Sequence, residues 1–114
     1  MSEQLAIDGL DLLIDDFIHA NPAAAILFTD ADCRVGDAVE PKLAELLEDQ
    51  FPEVRFTVVH RTDLPRRLAE LGVVTFPTLI TWFGGRESSR FVRVFSLAAV
   101  AEAIERPYSI LFGH

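Results

Sequence analysis

Cysteine is nearly absent: the 114-residue chain holds one, Cys33. A single thiol forms no internal disulfide, so no oxidising compartment is implied and the fold must rest on its hydrophobic core. Basic residues are outnumbered, 10 lysines and arginines against 18 aspartates and glutamates, leaving a formal charge of −8 at pH 7. That is the reverse of a nucleic-acid binder, whose surface must neutralise phosphates, and it repels anionic membranes. Long hydrophobic runs are missing too. No stretch approaches the ~18 apolar residues that span a bilayer. The opening MSEQLAIDGLDLLIDDF lacks the basic and the uninterrupted apolar segments of a secretion signal, so the cytoplasm is the expected location. His19, His60 and His114 show no ligand spacing, and neither a metal nor another cofactor is expected.

What is present is globular: half the residues are hydrophobic and a quarter charged. The length suits one domain over residues 1–114. Leu10, Leu13, Ile14, Phe17 and Ile18 recur at helical spacing opposite Asp11, Asp15 and Asp16, and Asn21-Pro22 stops that helix. Ala23 to Thr29 is a continuous apolar run, as in a strand buried on both faces. Val39, Leu43, Leu46 and Leu47 mark a second helix, with Pro41 inside it, ending near Gln50. Val54 to His60 reads as a strand, and a short helix from Leu64 closes on Gly72. Thr78 to Phe83 and Ser88 to Phe95 flank Gly84-Gly85, a hairpin signal. Leu97 to Ile104 follows Ser96 as N-cap, which leaves residues 106–114 as an apolar tail that folds back or faces a partner.

The expected class is therefore α/β: a central mixed sheet of four strands, or five if Leu5 to Ile7 adds an edge, flanked by four helices. Strands alternating with helices predict parallel pairing, and the terminal hairpin predicts one antiparallel pair. Arg61, Arg66 and Arg67 read as a solvated basic face. Trp82 reads as core.

Three features coincide in order: a cysteine after the first strand, a proline eight residues later within a helix, and Gly72-Val73-Val74-Thr75-Phe76-Pro77-Thr78 before the hairpin. The chain resembles the thioredoxin family, whose signature is a strand, Trp-Cys-Gly-Pro-Cys, a proline-kinked helix, then a cis-proline followed by threonine and a strand. The likeness runs from about Leu12 to Glu105 and is gap-free from Ile26 to Thr78. It implies the thioredoxin-like fold, with Cys33, Arg34, Val35 and Gly36 beside Thr75, Phe76 and Pro77. The departures are specific. Gly36 stands where the family has its second cysteine, and Asp32 where it has tryptophan. The family's buried aspartate and its lysine partner fall on Leu27 and Val58.

These departures limit the chemistry. In dithiol exchange a second thiol resolves the mixed disulfide formed by the first, and Gly36 supplies no sulfur, so complete dithiol activity is excluded. Arg34 and a helix N-terminus favour a Cys33 thiolate; Asp30, Asp32 and Asp37 oppose it. Two readings of Cys33 stand: a weakly activated thiol that forms mixed disulfides, or an inherited residue without chemistry. Phe76-Pro77 likewise reads either as an edge that docks an extended chain or as a plain turn.

Two functions follow. One is a monothiol redox protein whose disulfide partner is glutathione or a client protein. The other is a non-catalytic binding module. Residues 45–86 are similar to the thioredoxin-like chaperones of nickel–iron hydrogenase maturation, which share the phenylalanine-proline element and the Gly-Gly hairpin without a redox dithiol. No signal of oligomeric state is present.

Overall fold

The computed structural model describes residues 13–31, 34–93 and 95–113. The edge strand expected at Leu5–Ile7 and the start of the first expected helix lie outside them. Along the chain come α1 (residues 13–20), β1 (Ala23–Thr29), α2 (Arg34–Gln50), β2 (Arg55–His60), α3 (Pro65–Leu71), β3 (Thr78–Phe83), β4 (Arg86–Val92) and α4 (Leu97–Phe112). Among the described residues the four strands form one mixed sheet in the order β2-β1-β3-β4.

All seven residues of β1 are buried, because the strand is central and covered on both faces. Alternation along it divides the core. Ala24, Ile26 and Phe28 pack with Ile80, Trp82, α1 residues Ile14 and Ile18, and α3 residue Leu68. Ala23, Ala25 and Leu27 pack with Leu79, α2 residues Leu43 and Leu47, and α4 residues Val100 and Ile104. Two helices therefore cover each face, which is the expected α/β class.

Connection length decides strand direction. The 17 residues of α2 span about 25 Å at 1.5 Å each, enough to carry the chain back along the sheet, and β2 runs parallel to β1. The seven residues of α3 cover only about 10 Å. The chain therefore re-enters at the end of the sheet where β2 left it, and β3 pairs antiparallel with β1. The sequence predicted parallel pairing for every strand that follows a helix; α3 is too short to enforce it here.

Local chemistry explains most boundaries. Gly72 caps α3 in the left-handed region at φ 73°, and its N–H reaches the carbonyls of Ala69 and Leu68. Arg90 on β4 adds a second cap, donating to the Leu71 carbonyl at 2.8 Å while forking onto Glu87. The Glu87 hydrogen bond holds the Arg90 guanidinium above the ordinary arginine range, against the opposing pull of burial. Ser96 Oγ accepts the Ala99 N–H at 3.0 Å and starts α4.

Two boundaries differ from the sequence reading. β4 begins at Arg86, includes a register shift opposite Thr81/Trp82, and ends at Val92 rather than Phe95. The other difference is larger. Residues 106–112 are no tail: α4 runs through Pro107 to Phe112. Proline deprives the helix of one hydrogen bond, but the apolar stripe Val100, Ile104, Tyr108 continues at four-residue spacing and stays buried. Tyr108 packs edge-on against Phe51 with ring centroids 5.1 Å apart, and its hydroxyl accepts the Glu53 N–H. Ile110 and Leu111 remain exposed.

Candidate functional site

The carboxyl end of β1 is where several chain segments converge. The Thr29 carbonyl accepts the Arg61 N–H at 2.8 Å, just beyond β2. Phe28 opposes Thr78, so Pro77 enters β3 at this end. The Pro77 carbonyl accepts the Arg93 N–H at 2.8 Å, which brings in the end of β4. Helix α2 begins at Arg34, five residues after Thr29.

Cys33 and Asp32 lie outside the described residues. The remaining expected site residues form two segments at this one end of the sheet. In the first turn of α2, Arg34 and Val35 are exposed and Gly36 is buried. In the loop before β3, Thr75 is half-buried, and its carbonyl accepts the Thr78 hydroxyl at 2.7 Å. Phe76 packs on the α1/α3 core, Pro77 is fully buried, and the peptide bond between them is cis. Among the described residues, neither the N–H nor the carbonyl of Phe76 has a hydrogen-bond partner.

The electrostatics differ from a simple count of charges near Cys33. Asp30, one of three aspartates that oppose a thiolate, is bound by Arg61, Nε to Oδ2 at 3.0 Å, and its other oxygen accepts the Ala31 N–H. Parallel register produces that pair: Thr29 opposes His60, so the next residues face each other. Arg67 pairs with Asp15 and lies near Glu70. The arginines read as one basic face are thus distributed among separate partners.

Leu27 and Val58 are register partners on β1 and β2, and both pack on the α2/α4 side. Leu27 is fully buried. At the two positions where the resemblance puts an acid and a lysine, this chain has an apolar contact, consistent with having no second thiol to deprotonate.

Sequence reasoning missed Val74, Val92 and Arg93. Val74 is 82% exposed beside Phe76, and Val92 is 47% exposed opposite Thr78. For Val92 and Arg93 the signal lay in strand pairing, which brings residue 92 to residue 78 across the hairpin. A separate groove of about 560 Å³ on the α1 side is lined by Leu13, Ile14, Phe17, Ile26, Val59 and Leu64. Its ionisable lining residue, Asp63, accepts the His60 N–H. Among the described residues no three acidic, histidine or cysteine side chains gather as a metal site, and no helix is long and apolar enough to cross a membrane.

Comparison with known proteins agrees with this geometry. No family model matches the chain. The thioredoxin-like protein YdfQ of Bacillus subtilis is 26% identical over 113 residues, covering 99% of each chain. Thioredoxin 1 of Thermosipho africanus superposes with a TM-score of 0.68 at 29% identity, over 76% of this chain and 96% of that one. Oxidised thioredoxin O2 of Arabidopsis thaliana gives 0.75 at 20% identity, over 90% of each. The fold, a relative alike along its whole length, and the Phe76-Pro77-Thr78 entry into β3 make this single-cysteine chain similar to the thioredoxin-like proteins, whose fold it shares.

Proposed function

We propose that the protein is a monothiol redox protein in which Cys33 forms a mixed disulfide with glutathione or a partner protein. One observation carries the reading: α2 begins one residue after the chain's only thiol, at the same end of the sheet as Phe76-Pro77. An exposed helix start favours a thiolate through its unpaired N–H groups and dipole. Arg61, by holding Asp30, removes part of the opposing charge. Phe76 offers its N–H and carbonyl to the chain that carries the partner sulfur, in the manner of an added strand. With Gly36 in place of a resolving thiol, release requires an external thiol. On this reading residues 1–114 form one domain working in the cytoplasm, where such thiols are abundant.

The test is intact mass after incubation with oxidised glutathione. The wild type gains one glutathione, which an added thiol removes, and Cys33→Ser gains none. An unmodified wild type would overturn the reading. A second reading, a module that docks a client chain without chemistry, is favoured by Val35, Val74 and Val92, all exposed at this same end. It requires that Cys33→Ser retain the protein's function in the cell.

A further inference from the structure

Arg93 is the only non-glycine residue, among those described, with a positive φ, 68°. A side chain in the left-handed region is strained, whereas glycine occupies it freely. The pairing around Arg93 holds it there: its N–H is bound to the Pro77 carbonyl, and Val92 before it opposes Thr78. Glycine would make this turn without strain. Arginine instead places a long cationic side chain, on an exposed residue, at the rim of the Phe76-Pro77 edge.

Charge distribution points the same way. Arg61, Arg67 and Arg90 are each bound to a carboxylate. Arg93 and Arg34, the latter in the first turn of α2, have no carboxylate partner among the described residues. On a chain of formal charge −8, these two guanidinium groups offset the acidic residues at this end of the sheet, where Asp37 also lies in the first turn of α2. A guanidinium fork matches a carboxylate.

We propose that Arg93 is a specificity-determining residue that selects a disulfide partner carrying a carboxylate near its sulfur. The proposal rests on the monothiol reading above. In the step concerned, the Cys33 thiolate attacks one sulfur of the partner disulfide and a new S–S bond forms. The old bond breaks, and the departing half leaves as a thiolate that takes up a proton. Cys33 is oxidised to the mixed disulfide, and the departing half is reduced to a thiol.

Two small disulfides of opposite charge test it: oxidised glutathione, which carries carboxylates, and cystamine, which carries only ammonium groups. Adduct formation at Cys33 is timed by intact mass at low salt, where screening is weak. Arg93→Gly is expected to lower the glutathione-to-cystamine rate ratio about threefold or more, and to raise the melting temperature by relieving strain. Arg93→Lys keeps most of the ratio. An unchanged ratio in Arg93→Gly, with both adducts still forming, overturns charge selection and leaves the monothiol reading intact. A lower melting temperature overturns the premise that Arg93 is strained. No adduct with either disulfide overturns both.

Discussion

Leu27→Asp is expected to remove about 4 kcal/mol or more of stability at neutral pH, enough to unfold much of the protein. Leu27 is fully buried among Leu43, Leu47 and Leu79, and its register partner is Val58. A carboxylate there finds no cation. Burial raises its pKa in the folded state, so the penalty is smallest below the ordinary carboxylate range and grows as pH rises through it. Urea denaturation at two pH values measures this. A loss under about 1 kcal/mol would mean that water or a cation reaches the position. The result bears on function, because the residue where the resemblance puts a proton-transfer acid is here part of the apolar core.

Tyr108→Ala is expected to cost about 3 kcal/mol, in the range of large aromatic truncations. The ring is buried against Phe51 and lies 4.7 Å from Phe112, centroid to centroid. Tyr108→Phe keeps these contacts and loses only the hydroxyl that accepts the Glu53 N–H, at about 1 kcal/mol. Comparing the two by thermal or urea unfolding separates packing from the hydrogen bond. Equal, small effects would contradict the docking of α4 beyond Pro107.

Local signals were legible where they depend on neighbours in sequence. Gly72 as a cap, Gly84-Gly85 as a hairpin turn and Ser96 as an N-cap are each satisfied within a few residues, and all three take those roles. The continuation of α4 was hidden because Pro107 reads as a stop until Phe51 is known to receive Tyr108. The direction of β3 was hidden for a similar reason: it follows from how far α3 carries the chain, not from the composition of either element. At the site, the two expected segments could be named from motif order. Arg93 and the Asp30–Arg61 pair could not, since strand register across 31 residues creates the latter.

Placement of the thiol chemistry at the Phe76-Pro77 turn underlies the whole functional account, and amide NMR spectra before and after glutathionylation probe it most directly. Shifts concentrated at residues 34–36, 74–76 and 92–93, with the Gly84-Gly85 hairpin unmoved, are the predicted result. Shifts centred on that hairpin, or none at Thr75 and Phe76, would contradict it.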